Sequence, residues 1–293
     1  MSRDHIIPRF ILRGFAIDPT EDKNKQKIMI YDRETNEVEI KKIVDAYAIR
    51  DFNSPETEQH LAHKYENKVA SIFQRISDAT NKNQQYISFS DTEYRLLFRF
   101  FVIMWRRNNI HLEKAKEICT EFEIILKSLL GDHYKDALKP EYKNYSMEEM
   151  FNEKNDDIRY ALYDKIIKGT KDDDPTVLKT IKHYFPFIVN NKSKIHFLLH
   201  NTYSTLVYLA PQNQYYVSEN DFPQIMIYPI SKTLCFCMMY NKEEIDTTKE
   251  KFDIPIEICD NDKDIKSTFI DAYITRTAKS FVVDDTNLCF VKI

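Results

Sequence analysis

The chain has 293 residues, of which 43% are hydrophobic and 30% charged, and its formal net charge at pH 7 is −4. This balance is typical of a folded globular protein, and the scattered lysines and arginines do not form the basic stretch expected of a direct nucleic-acid binder. The three glycines, Gly14, Gly131 and Gly169, lie too far apart to form one phosphate-binding loop, which excludes Walker-type and dinucleotide-binding proteins.

A β-hairpin and a helix are predicted in the first third of the chain. Alternating apolar residues on either side of the polar turn 32–36 predict a hairpin over residues 28–40. The helix begins at the capping residues Asn53 and Ser54, which are followed by Pro55. Its apolar residues recur at helical spacing: Leu61, Tyr65, Val69, Ile72, Phe73 and Ile76.

The capping box Ser90–Glu93 predicts the start of a second, strongly apolar helix. We expect this helix to extend toward Gly131, with a break near Asn108 and Asn109. Residues 146–168 and 175–184 are typical of further helices.

The pattern changes after about residue 204, where short strand-like runs are separated by Pro, Asn and Asp. We predict strands over 205–210, 214–218, 224–230, 233–240, 281–283 and 288–291, and one helix over 262–279. The predicted class is therefore α+β, with a helix-rich N-terminal and central region, an N-terminal hairpin and an antiparallel sheet in the C-terminal third. We expect two regions, 1–203 and 204–293, packed as one compact unit.

The cysteines and the absence of an export segment predict a cytoplasmic protein, in the host bacterial cytoplasm if the gene belongs to a phage. Five cysteines, an odd number, point to reduced thiols. Cys235 and Cys237 lie in an apolar run at strand spacing, so we expect both on one face as buried core residues. The longest apolar stretch, 96–105, is too short to span a bilayer.

Three charged residues on the two main helices are candidates for a buried site. At 100° per residue Glu58 falls on the apolar face of its helix, where a carboxylate is costly unless it is paired or stabilised by the helix N-terminus. Glu66 lies at the edge of that face, and Arg106 has the equivalent place on the second helix. A Glu–Arg pair between the helices would neutralise both charges, and such pairs are more often structural than catalytic.

Metal and cofactor sites are not expected. His60 and His63 point away from the apolar stripe of their helix, so we expect them to be solvent-exposed. His196 and His200, spaced i and i+4, could share a helix face as zinc ligands do, but they lack the glutamate of a metalloprotease motif. Asp32 and the segment Glu39–Lys41 have the residue types of a metal-dependent nuclease, but a turn aspartate and a solvated Glu-x-Lys are common. We therefore predict no metal and no cofactor.

The N-terminal string His5-Ile-Ile-Pro-Arg-Phe-Ile-Leu-Arg-Gly-Phe15 resembles the opening of a bacterial and phage family known as domain of unknown function 4238. The resemblance continues through the hairpin, the helix carrying Glu58 and Glu66, and the helix that ends at Arg106. Val217–Asp221, Tyr228–Ser231 and residues 270–283 match later segments of that family. Glu219, Asp221 and Asp271 depart from its pattern.

Two functional hypotheses remain open. An enzyme of unknown substrate would gather the polar residues His5, Arg9, Glu58, Glu66, Arg106, Ser218 and Asn220 for acid–base or phosphoryl chemistry. The departures at Glu219 and Asp221 argue against preserved chemistry and favour a non-enzymatic protein.

The second hypothesis is a phage-type anti-defence protein that binds and blocks a bacterial defence nuclease complex by occlusion. The length and the Lys-, Asn- and Ile-rich composition are similar to those of a phage inhibitor of the Gabija defence system. Its partner would be a protein, with no direct contact to nucleic acid or membrane, and a homo-oligomer is compatible with this function. The aromatic candidates for partner binding are Tyr184, Phe185, Phe187, Tyr215 and Tyr216.

Overall fold

Helices and strands alternate along the chain and build an α+β fold with two main sheets. The computed structural model describes residues 3–50, 52–106, 120–121, 123–138, 140, 143–144, 146, 149, 167, 174–192, 199–200, 205–207, 225–259 and 280–284.

The helical elements lie mostly in the first half of the described chain. They are α1 (Arg9–Arg13), α2 (Pro55–His60), a π-helix (Leu61–Glu66), α3 (Asn67–Asn81), α4 (Asp91–Arg106), a 3₁₀-helix (Gly131–Ala137) and α5 (Pro175–His183). Residues 123–130 are also helical. The strands are β1 (Arg3–His5), β2 (Lys27–Asp32), β3 (Glu37–Lys42), β4 (Ala48–Arg50), β5 (Tyr86–Ser90), β6 (Tyr184–Asn191), β7 (Leu199–His200), β8 (Thr205–Val207), β9 (Ile225–Pro229), β10 (Leu234–Tyr240), β11 (Lys251–Cys259) and β12 (Ser280–Val283).

Local capping signals in the sequence correctly predict where the two main helices begin. The Ser54 hydroxyl accepts a hydrogen bond from the Thr57 N–H, with Pro55 at the first helical position. Ser90 and Glu93 form the reciprocal capping box: the Glu93 N–H donates to Ser90 Oγ, and the Ser90 N–H donates to Glu93 Oε2. Both caps satisfy N–H groups that the helix itself leaves without acceptors.

The larger sheet has six strands in the order β5-β11-β6-β10-β9-β8. Four of its pairings are antiparallel, as predicted, and the pairing of β11 with β6 is parallel. One face carries large apolar side chains such as Tyr228, Phe236 and Phe252, which stack on rings of α4. Phe101 lies at the centre of this contact, with its ring centroid 4.2 Å from that of Tyr228.

The smaller sheet has four strands in the order β3-β2-β12-β7 and contains the predicted N-terminal hairpin. It covers part of the other face of the six-stranded sheet, where Tyr31 and Phe281 join Val189, Cys235 and Cys237 in a second core cluster. The prediction that the two cysteines share a face and are buried is confirmed. Strands from both sides of residue 204 pair in each sheet, because β5 pairs with β11 and β2 with β12.

Within the part of the chain that the structure describes, none of the helices is both long and apolar enough to cross a membrane.

Candidate functional site

The N-terminal motif folds against the loop before α2 and brings several polar residues together. Strand β1 pairs with β4, which places Asp4 opposite Ile49 and His5 opposite Ala48. The hydrophobic residues of the motif anchor it: Ile7, Ile11 and Leu12 are fully buried, and the Phe10 ring lies 5.6 Å from that of Phe73.

His5 is buried and its ring is held from both sides. Its Nδ1 accepts a hydrogen bond from Arg9 Nε at 3.4 Å, so Nε2 carries the proton and donates to the Ile43 carbonyl at 3.2 Å. This is the pattern of a neutral imidazole in a fixed tautomer. The ring therefore positions the exposed Arg9 guanidinium rather than standing free as a proton acceptor.

Asp4, Asn53 and Glu58 form a chain of hydrogen bonds at the start of α2. The buried Asp4 carboxylate accepts from the Asn53 backbone N–H at 2.9 Å, and the Asn53 side-chain amide donates to Glu58 Oε1. Glu58 is half-buried in the first helical turn, where the helix N-terminus stabilises its negative charge. Asp4 and Asn53 were not predicted as site residues, since only the pairing of β1 with β4 brings them together.

A π-helix over Leu61–Glu66 separates α2 from α3. Its i→i+5 hydrogen bonds widen the helix and change the angle between successive side chains, so the 100° spacing does not hold between Glu58 and Glu66. Such segments are frequent at functional sites. Here the π-helix buries Leu61 and Tyr65 while Glu66, its last residue, stays half-buried.

Arg106 ends α4 and forms an ion pair with Asp174, with 2.9 Å between Nη1 and Oδ2. Its Nη2 also contacts the Thr176 hydroxyl. Asp174 caps α5 by accepting from the N–H groups of Thr176 and Val177, so the pair fastens α4 to α5. The pairing of Arg106 with Glu58 or Glu66 stays a prediction.

The aromatic candidates on β6 separate according to the face of the sheet. Tyr184 is fully buried on the α4 side, which removes it as an anchor for a partner. Phe185 is 44% exposed on the opposite face, and Phe187 on that face is half-buried against the second core cluster. Ser218, Asn220, Tyr215 and Tyr216 lie outside the described residues.

Phe185 has apolar cross-strand neighbours on its face. Met239 of β10 pairs directly with Phe185 and is 47% exposed, and Ile225 of β9 pairs with Met239 on its other side. We call Phe185 and Met239 the open row; Ile225 beside them is half-buried against the second core cluster. Because β6 and β10 are the two middle strands, this row lies away from the edge strands, at the end of the sheet where β6 begins and β10 ends.

The chain matches a family model over nearly its whole length. The family model described as "Protein of unknown function (DUF4238)" matches residues 3–292. Searches of curated proteins and of solved structures gave no significant match.

Proposed function

The chain belongs to the DUF4238 family, and we propose that it acts by binding a protein partner through the open row of its six-stranded sheet. The observation that carries this proposal is the exposure of Phe185 and Met239, a direct cross-strand pair on the two middle strands. Side chains at such positions are normally covered by another layer of structure.

The residue types of the open row suit a protein partner. Aromatic residues and methionine are enriched in the buried centres of protein interfaces, where a few large side chains carry most of the binding free energy. Methionine also adapts to irregular surfaces because its side chain is flexible and polarizable. Phe185 and Met239 together offer one rigid and one adaptable contact.

Polar groups border the open row at the ends of its strands. Lys182 and Glu244 form an exposed ion pair at 3.2 Å, and His183 Nδ1 lies 3.3 Å from the Asn241 carbonyl. His183 directly precedes β6 and Asn241 directly follows β10, so both lie beside the Phe185–Met239 pair. An apolar centre with a polar rim is the usual composition of a protein–protein interface.

The partner class that we propose is a bacterial defence nuclease complex, which the chain would block by covering its surface. Support for this class comes from the length and composition, which are similar to those of a phage inhibitor of the Gabija system. Occlusion requires a surface but no catalytic group, and this is consistent with the way His5 is held between Arg9 and a backbone carbonyl.

The test uses the double variant Phe185→Ser/Met239→Ser and, as a matched control, Ile17→Ser. Ile17 is 46% exposed and lies outside both sheets. We expect the double variant to keep the melting temperature of the wild type but lose co-elution with a purified Gabija-type complex and inhibition of its DNA cleavage. The control should retain both activities.

Two outcomes contradict the proposal. Full inhibition by a well-folded double variant would show that the open row is not the binding surface. Loss of inhibition in His5→Ala or Ser218→Ala, with binding to the complex retained, would favour the enzyme hypothesis instead.

A further inference from the structure

Two arginines on α1 lie one turn apart and have no acidic partner among the residues that the structure describes. Arg9 and Arg13 are at positions i and i+4, so their side chains lie on the same face of the helix. Among the ion pairs between described residues, neither guanidinium has a carboxylate within 4.0 Å. Arg9 is exposed, whereas Arg13 is half-buried.

The Arg13 guanidinium is in an unfavourable environment. Its Nε is fully buried and has no acceptor among the described groups. Burial, and then the positive charge of Arg9, lower the pKa of Arg13. An arginine stays protonated in proteins, so this site holds two adjacent positive charges whose repulsion and desolvation oppose folding.

Three other arginines of the described helices are arranged differently. Arg75 contacts Glu93, Arg95 lies 2.8 Å from Asp91, and Arg106 lies 2.9 Å from Asp174. Each of these guanidiniums has an intramolecular carboxylate. Among the described residues, Arg9 and Arg13 lack such a carboxylate, and a bound anion would supply the negative charge that the other three arginines obtain within the chain.

We infer that Arg9 and Arg13 form a binding site for a phosphate group, with His5 holding Arg9 in position. Two guanidiniums provide several N–H donors in planar forks, which match the oxygens of a phosphate group in number and charge. His5 Nδ1 accepts from Arg9 Nε and leaves the two Nη groups of Arg9 available as donors. Such a site needs no glycine-rich loop, because side chains rather than backbone N–H groups provide the donors.

The test is a titration of the full chain with inorganic phosphate. Calorimetry measures the binding, and the melting temperature measures the stabilisation. Potassium chloride at equal ionic strength serves as the reference, since salt alone screens the repulsion between the two arginines. We expect phosphate to raise the melting temperature in a saturable way and chloride to raise it less. Adenosine monophosphate should bind at least as well as phosphate, whereas acetate should bind about tenfold more weakly because it offers fewer acceptors.

Variants separate a ligand site from a structural role. Arg13→Met removes a half-buried charge, so we expect a higher melting temperature without phosphate and loss of the phosphate-dependent rise. Arg9→Gln, at an exposed position, should fold normally and weaken phosphate binding by about tenfold, as expected for the loss of a charge-assisted hydrogen bond. Arg95→Gln is the matched control and should keep the full phosphate response.

Two results would overturn the site. The first is an equal phosphate response in wild type, Arg9→Gln and Arg13→Met. The second is acetate binding as tight as phosphate binding, which would indicate that Arg9 and Arg13 bind a carboxylate group rather than a phosphate group.

Discussion

The two faces of the six-stranded sheet have similar amino acids but different surroundings. On the α4 side, Tyr184, Phe236 and Met238 are buried, and the rings of Phe101 and Tyr228 stack at 4.2 Å. On the opposite side the four-stranded sheet covers Val189 and Cys237 but leaves Phe185 and Met239 about half exposed. On this face, β6 and β10 therefore each carry both covered and exposed side chains.

The difference shows that the role of an apolar residue on a strand depends on what packs against it. A residue that another layer covers stabilises the fold, whereas an uncovered one is accessible to a partner. Met238 and Met239 are adjacent in β10 and point to opposite faces. Burial of apolar surface stabilises by about 25 cal/mol per Å², so the covered methionine contributes more to folding than the exposed one.

The largest expected effect comes from comparing Met238→Ala with Met239→Ala. Met238 is fully buried, so its truncation should lower the free energy of unfolding by about 2–5 kcal/mol. Met239 is open, and its truncation should change stability by about 0.5 kcal/mol or less. Urea denaturation of both variants measures the difference, and similar losses would show that Met239 is covered within the chain.

A smaller effect is expected at the end of α4, where Arg106 fastens the helices of the covered face. Arg106→Ala removes the ion pair with Asp174 and the hydrogen bond that Nη2 donates to the Thr176 hydroxyl. Because both side chains are partly exposed, we expect a loss of about 1–2 kcal/mol rather than the value for a fully buried pair.

Lys182→Ala is the control for Arg106→Ala, since Lys182 lies on α5 and pairs with Glu244 in solvent. It should cost about 0.5 kcal/mol or less in the same denaturation experiment. Equal losses in the two variants would mean that the Arg106–Asp174 pair does not stabilise the covered face.

The smallest effect concerns the Tyr228 hydroxyl, which donates to the Phe101 carbonyl at 3.2 Å across the covered face. Tyr228→Phe should cost about 1 kcal/mol at pH 7. Burial raises the pKa of Tyr228, so the folded state retains its proton above about pH 10, where the unfolded chain ionises.

The free energy of unfolding of the wild type should therefore fall as pH rises above about 10. Tyr228→Phe has no hydroxyl to ionise at this position, so its free energy of unfolding should fall less. The stability advantage of the wild type should shrink between pH 7 and about pH 11. A constant difference over this range would show that the hydroxyl reaches solvent.

Several elements were predictable because their signals are local. The hairpin turn carries Asn36 at φ 58°, a conformation that asparagine tolerates, between two alternating strands. The caps at Ser54 and Ser90 depend on residues three positions apart. Local hydrogen bonds of this kind form wherever the sequence places donor and acceptor together.

Strands β6 and β11 were not predicted, and proline explains why. Pro186 and Pro255 interrupt them, and proline removes a ladder N–H and so argues against an interior strand. The structure accommodates both, because the parallel pairing of β11 with β6 begins at Ile256 and Ile188, beyond the two prolines. The alternation of Phe252, Ile254, Ile256 and Ile258 was a signal that could have identified β11.

The candidate site was predictable only in part. His5, Arg9 and Glu58 were selected from sequence, and the structure places them in the same N-terminal region. The Ile43 carbonyl contacts His5, and the Asn53 amide, whose backbone N–H is held by Asp4, donates to Glu58. These contacts join residues up to 49 positions apart. No periodicity within one element can indicate them.

The sequence by itself determined the α+β class, the caps, the hairpin and the alternation of apolar residues along the strands, because each depends on neighbours a few residues apart. Tertiary structure decided which strands meet, which face α4 covers and which of Tyr184 and Phe185 stays accessible. The physical reason is that a period of two divides side chains between two faces but carries no information about what packs on either. Coverage is a property of contacts between distant segments, and the open row exists because the four-stranded sheet ends before Phe185 and Met239 are covered.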